Sequence, residues 1–221
     1  MQKFSVHPEP SYRKLDNGIE IHDNFLPPNI CKSVCDPFNN NSGTRDYESI
    51  WSKGPLNSYK LNNGTRIPYT KTGDGSLEIE EKYNYQFVHV LFSHYNRSEL
   101  FEVIEPIITK LRIKGGLLRA KVNFNPCADK IFQHQYHIDH EFPHWTAIYY
   151  MTTNNGHTIC EDGTKIENIQ NRLAILPWKT FHTGTSSTDN NRIVLNMNWM
   201  VQNEECTDYR YKEVPIIDCV K

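Results

Sequence analysis

Residues 137–163 read HIDHEFPHWTAIYYMTTNNGHTICEDG, and residues 181–199 read FHTGTSSTDNNRIVLNMNW. The second run closes in strict alternation: Ile193, Leu195, Met197 and Trp199 fall on one side, Arg192, Val194, Asn196 and Asn198 on the other. Period-two alternation predicts a β-strand with one dry face. The opposite face carries a guanidinium and two amides. A buried, unpaired charge is expensive, so an arginine placed inside a fold needs a carboxylate, and a bound dicarboxylate would supply one.

Working outward, LLRAKVNFNP (residues 117–126) alternates in the same way. Leu118, Ala120, Val122 and Phe124 oppose Arg119, Lys121, Asn123 and Asn125, so this strand borders water or a polar cavity. Further short runs read as strands: FQHQYHID, WTAIYYMT, HTIC, TKIENI, RLAILP and FHTG. Asn154-Asn-Gly and Asp162-Gly supply tight-turn chemistry between them. Many short strands of this kind predict a mainly β fold, an antiparallel barrel or jelly roll, with the earlier helices packed outside.

Those helices have their own signals. After a short alternating strand at Ile19-Glu-Ile-His22, the prolines of DNFLPPNICKSVCDPF fit a first helical turn. Ile30, Val34 and Phe38 recur at helical spacing, which predicts a helix over 28–36 limited by Pro37. Ser98 is a candidate N-cap for a second helix with an apolar stripe from Leu100 to Leu111, kinked or divided near Glu105 by Pro106. Residues 80–95 fit either strand or helix. Residues 39–76 read as a long loop whose Tyr47, Trp51, Tyr59 and Tyr69 suit a cover over a substrate. Residues 203–221 form a tail with a candidate edge strand at Val214-Pro-Ile-Ile. The chain is expected to be one domain over residues 1–221, with N-terminal helices and a substrate-side loop at 19–112 and a metal-bearing β core at 116–201.

Bulk properties exclude several classes. A formal net charge of −2 gives no general attraction to nucleic acid or an anionic membrane. No stretch has the length of a membrane span or the apolar run of a secretion signal, so the expected location is the cytoplasm. The six cysteines (Cys31, Cys35, Cys127, Cys160, Cys206, Cys219) lack paired zinc spacing and read as buried free thiols.

The chemistry concentrates on His137, Asp139 and His182. On a strand, His137 and Asp139 would project to the same face, and His182 is a third candidate ligand. Two imidazoles and one carboxylate with open positions beside them are the donor set of a non-haem Fe(II) oxygenase. A His-x-Asp pair alone is weak among ten histidines. The third ligand and Arg192, each on a predicted strand, give it weight. His134, His140, His144 and His157 read as neighbours rather than ligands, and Arg119 and Lys121 suit either an acidic substrate or a solvated strand face.

Several motifs carry a family resemblance: His137-Ile-Asp139, Thr146-Ala-Ile-Tyr-Tyr150, Asn155-Gly-His-Thr158, Asn171-Arg-Leu-Ala-Ile-Leu-Pro177, Phe181-His182 and Arg192-Ile-Val-Leu-Asn196. Together they resemble the 2-oxoglutarate- and Fe(II)-dependent oxygenases, most closely the prolyl 4-hydroxylase-like branch, which includes small oxygenases of the kind found in phage genomes. The resemblance is strong from about residue 120 to 201, thin over 19–38 and absent over 39–95. It implies a double-stranded β-helix core, Fe(II) on His137, Asp139 and His182, and 2-oxoglutarate and dioxygen as co-substrates, with ascorbate as an auxiliary reductant. It further implies that Arg192 binds the distal carboxylate of 2-oxoglutarate with help from Tyr150, and that Asn196 is a weaker candidate for the same role. Asn125 falls where such hydroxylases often carry a tyrosine beside the co-substrate, and this departure leaves its role open.

The implied activity is hydroxylation of a C–H bond in a peptidyl, prolyl-like, or small-molecule substrate. Host cytoplasm is the implied location if the chain is phage-encoded. Two alternatives stay open. A nucleic-acid dealkylase or base modifier would need a basic groove with stacking aromatics, for which Arg45, Lys53, Lys60, Arg66 and Lys71 are candidates. A non-catalytic jelly-roll binding module would leave Arg192 without a purpose.

Overall fold

A computed structural model of the chain describes residues 8–39, 51–54, 58–60, 66–68, 85–94, 96–112 and 115–200. In chain order the strands are β1 (Ser11–Lys14), β2 (Glu20–Asp23), β3 (Ser52–Gly54), β4 (Ser58–Lys60), β5 (Arg66–Pro68), β6 (Gln86–Ser93) and β7 (Asn96–Arg97). They continue with β8 (Leu117–Asn125), β9 (His144–Tyr150), β10 (His157–Cys160), β11 (Lys165–Glu167), β12 (Leu173–Leu176), β13 (His182–Gly184) and β14 (Arg192–Met200). Helix α1 spans Pro28–Asn39, and a 3-10 turn over Glu99–Ile104 leads into α2 (Glu105–Leu111).

The strands form a nine-stranded sheet in the order β1-β2-β12-β9-β14-β8-β6-β3, with β7 added to β6. A smaller sheet, β11-β10-β13, and the ribbon β4-β5 complete the described set. Each ladder is antiparallel, as the turn-punctuated sequence predicts. Side chains from both sheets, among them Tyr150 and Val194 from the large one and Cys160 from the small one, share one apolar cluster. The core is therefore a double-stranded β-helix, the jelly roll expected from the sequence.

The outer face of the large sheet is dry. Leu195, Met197 and Val122 join Val34 and Cys35 of α1 and Ile107 and Leu111 of α2 in a second cluster. Burying such side chains is worth about 1.5–3 kcal/mol each, which is what fixes the helices to this face. Asn171, at φ 67°, ties the chain entry to it: its amide oxygen accepts from Leu26 N–H (2.8 Å) and the Tyr149 hydroxyl (2.9 Å), and its amide nitrogen donates to the Leu26 carbonyl (2.8 Å).

Several expectations change. Helix α1 runs through Pro37 to Asn39 instead of stopping before the proline. In the last turn the missing N–H costs a single bond, and the extra turn buries Phe38 beside Trp51, ring centroids 6.3 Å apart. Within the ambiguous stretch 80–95, Gln86–Ser93 is strand β6, paired with β8; residues 80–84 and 95 lie outside the described residues. The FQHQYHID run is not a strand: it makes only isolated bridges, Gln133 with Thr185 and His137 with His182. Phe132 alone of the run is a buried core residue, and the backbone instead follows residues 182–186 through scattered hydrogen bonds: His134 N–H to Gly184, Ser186 N–H to Phe132 and the His137–His182 pair. Asn154-Asn-Gly marks the crossing from the large sheet (β9) to the small one (β10) rather than a hairpin, whereas Asp162-Gly does turn β10 into β11, with Gly163 at φ 87°.

Ser98 caps the 3-10 turn as expected, accepting from Leu100 N–H, and Pro106 sits at the start of α2, where its missing donor costs nothing. Cys31, Cys35 and Cys160 are buried free thiols, but Cys127 is exposed. Trp51, partly buried, packs on Phe124 (5.5 Å) against the core cluster. The remaining loop aromatics, the basic side chains named between 45 and 71, Cys206, Cys219 and the tail strand lie outside the described residues and side chains. No helix among the described residues is long and apolar enough to cross a membrane.

Candidate metal centre and dicarboxylate pocket

His182 opens β13, and the 133–137 segment runs antiparallel beside it. His137 N–H donates to the His182 carbonyl and His182 N–H to the His137 carbonyl, both at 3.0 Å. This reciprocal pair of hydrogen bonds sets the two imidazoles 4.8 Å apart, centroid to centroid, and Asp139 follows two residues after His137. One ligand atom from each of His137, Asp139 and His182 lies within 4.8 Å of the others. The trio is thus assembled by a local bridge and a bend, not by the parity of a continuous strand.

Each imidazole is held by its far side. His182 Nδ1 lies 3.0 Å from the Thr180 carbonyl and His137 Nδ1 3.3 Å from that of Gln135. These contacts favour a proton on Nδ1 and leave Nε2 to take a metal. The His137 side chain is 54% exposed, and partial loss of hydration together with the nearby His182 lowers its pKa.

Asp139 is almost enclosed, its side chain 4% exposed. One carboxylate oxygen, Oδ2, accepts from Asn198 (2.9 Å), Thr146 (3.1 Å) and Asn196 (3.3 Å), and Oδ1 accepts from the Arg119 guanidinium at 2.9 Å. Burial works to raise its pKa, but the attraction of His182, Arg119 and His137 and the Asn198 hydrogen bond outweigh that and hold it far below the usual carboxylate range. The group is a permanent anion. With Oδ2 occupied, Oδ1 is the oxygen turned toward His137 Nε2, 3.8 Å away.

A cavity of about 330 Å³ runs from this trio to Arg192. Its walls include Arg119, Lys121, Asn123 and Asn125 of β8 and Arg192, Val194 and Asn196 of β14, the two polar alternations facing each other across one ladder. Arg192 is 4% exposed, and among the described residues it has no carboxylate partner. Its Nη2 donates to the Thr158 hydroxyl (3.1 Å), while its Nε is buried without a hydrogen bond. Burial lowers its pKa, yet a guanidinium remains charged at any working pH. Two glycines pack closely around the side chain: a Cβ added at Gly184 would lie 3.0 Å from Arg192 Nη1, and one at Gly156 3.0 Å from its Cδ and 2.9 Å from the Ser186 carbonyl oxygen.

The Tyr150 hydroxyl does not line the cavity; it donates to Thr158 (2.9 Å), and burial raises its pKa to about 12. Thr158 accepts from both Tyr150 and Arg192, so its own proton is left to donate into the cavity. Asn196 and Asn125 both line the cavity, and the amide oxygen of each is buried without a partner. Of the other histidines, His144 holds the Phe142 carbonyl (2.7 Å) and His140 stacks on Phe142 (4.9 Å); neither belongs to the trio, nor does His157 at the start of β10. Sequence reasoning missed Thr158, Gly184 and the Arg119–Asp139 ion pair. Only the polar parity of β8 pointed toward the last of these.

The donor set and the orphaned polar atoms fit Fe(II) at one end and a dicarboxylate at the other. Comparison with known proteins gives the fold independently. No family model and no curated protein matches the chain. Among solved structures, it is similar to a prolyl hydroxylase from Trichoplax adhaerens in complex with a hypoxia inducible factor oxygen degradation domain peptide fragment. That likeness has a TM-score of 0.55 at 15% identity and covers 84% of each chain. A prolyl-4-hydroxylase from Pseudomonas putida matches at a TM-score of 0.49 and 10% identity, over 85% of this chain and 95% of that one. The viral collagen prolyl hydroxylase of Paramecium Bursaria Chlorella virus-1 matches at 0.46 and 12%, over 91% and 99%. The Trichoplax likeness shows that the two chains share a fold.

Proposed function

We propose that the chain is an Fe(II)- and 2-oxoglutarate-dependent oxygenase that hydroxylates a C–H bond of a peptidyl or small-molecule substrate. One observation carries the reading: a single cavity holds two imidazoles and a carboxylate at one end and a buried arginine, with no carboxylate partner among the described residues, at the other. Iron, when bound, supplies dioxygen activation that couples conversion of 2-oxoglutarate to succinate and carbon dioxide with delivery of one oxygen atom to the substrate.

The chain's own residues do the rest. His137 and His182 present Nε2, Asp139 presents a carboxylate whose second oxygen is already saturated, and Arg192 with Thr158 receives the distal carboxylate. Ile148 and Val194 line the cavity between polar groups and exclude water there. The jelly roll shared with a peptide-bound prolyl hydroxylase supports a peptidyl substrate. So does the exposed Tyr136, which lines the cavity one residue before His137.

Succinate release should require Fe(II), with and without ascorbate, and should rise with the right substrate. Proline-containing peptides, free amino acids and single-stranded nucleic acid form the panel. Coupled turnover with nucleic acid alone would replace the peptidyl reading, and no succinate under any condition would refute the oxygenase.

A further inference from the structure

The metal trio, Arg192 and Thr158 leave several polar groups of the cavity wall without an assignment: the amide oxygens of Asn123, Asn125 and Asn196, and the ring of His134, the one with two such atoms among the described lining residues. His134 lines the cavity, and both of its ring nitrogens are shielded from solvent and unpartnered. A buried polar group without a hydrogen bond is costly and rare in folded proteins, so an imidazole with two such atoms points to a missing ligand.

Its position is fixed by backbone. His134 N–H donates to the Gly184 carbonyl at 3.0 Å, which seats the residue opposite the glycine that lies against the Arg192 guanidinium. Three residues on, His137 is locked to His182 by the paired bonds already described. The 134–137 segment therefore spans the cavity floor from the arginine end to the metal end. On the oxygenase reading above, we infer that His134 is a further binding contact, donating a ring N–H to the dicarboxylate held between the metal trio and Arg192.

The protonation state agrees. Burial, with the positive charge of Arg192 and the neighbouring His137, depresses the His134 pKa to about 3. A neutral ring carries one donor and one acceptor, so it can add a hydrogen bond to a carboxylate without adding a second cation beside Arg192.

Calorimetric titration of 2-oxoglutarate into the full chain loaded with Mn(II) tests this without relying on turnover. His134→Phe keeps an aromatic ring and removes both nitrogens, and it should weaken binding roughly tenfold to a hundredfold, the loss expected for a hydrogen bond to a charged group. His134→Asn or His134→Gln returns an N–H near one of the two ring positions, and one of them should recover most of the affinity. Mn(II) affinity should stay unchanged in every variant, which separates ligand contact from damage to the trio. Should His134→Phe fail to fold, His134→Leu serves in its place. Wild-type affinity in the Phe or Leu variant overturns the assignment, as does equal loss in the Phe, Asn and Gln variants. Failure of the wild-type chain to bind 2-oxoglutarate would instead count against the oxygenase reading itself.

Discussion

The two faces of β14 share one backbone and obey opposite rules. Ile193, Leu195, Met197 and Trp199 join the dry cluster beneath α1 and α2, with hydrophobic burial as the driving force. Arg192, Asn196 and Asn198 are also buried on the other face, yet they serve polar groups: Arg192 and Asn196 line the cavity, and Asn198 bonds Asp139 and Thr146 behind it. Two of them accept the cost of desolvation in order to hold Asp139, and the third has no carboxylate partner among the described residues. The contrast shows where the molecule puts stability and where it puts chemistry, one residue apart along the same strand.

Substitutions should separate the faces. His182→Ala, on the cavity side, should reduce Fe(II)-dependent succinate formation below detection while the chain keeps its cooperative unfolding; persistent turnover would disprove the trio. On the dry face, Leu195→Ala should cost about 2–5 kcal/mol of stability in denaturant titration, with metal affinity retained in the folded fraction. A loss under 1 kcal/mol would mean that this face is not the packed core.

Arg192→Met should weaken 2-oxoglutarate binding by about 1.5–3 kcal/mol, roughly tenfold to a hundredfold, and leave Mn(II) binding intact. Unchanged affinity would remove the arginine from the co-substrate site. The smallest effect should come from the sheet edge, where Asp23 bonds Arg172 and Arg13. Burial works to raise the Asp23 pKa, but those two arginines more than offset it and the net shift is downward. A carboxyl depressed in the folded state contributes stability above its unfolded pKa of about 4 and loses it as pH falls through the folded value. Asp23→Asn should therefore flatten the acid limb of stability below about pH 4; an identical limb in the variant would refute the linkage.

Strand parity made much of this legible. The alternation in β8 and β14 depends only on local backbone geometry, and the structure sets Asn125, Asn123, Lys121 and Arg119 opposite Arg192, Val194, Asn196 and Asn198 along one ladder. The same rule failed for residues 132–139, which are held to β13 and the residues after it by isolated bridges rather than by a continuous ladder, a long-range pairing that alternation along one segment does not encode. Pro106 divided its helix as the missing N–H requires. Pro37 did not, because Phe38 finds a buried place beyond it.

The sequence by itself determined that the chain would be a β roll with helices on one face, and it named the ligand types and the arginine. Periodicity and residue chemistry are local properties, readable without contacts. Only the tertiary structure decided that Thr158 stands between Tyr150 and Arg192, that Arg119 reaches Asp139, that Gly184 lies against the Arg192 guanidinium, and that His134 faces the same cavity. Those relations join residues from separate strands, and their energies come from burial and close approach, which exist only once the two sheets have closed on each other.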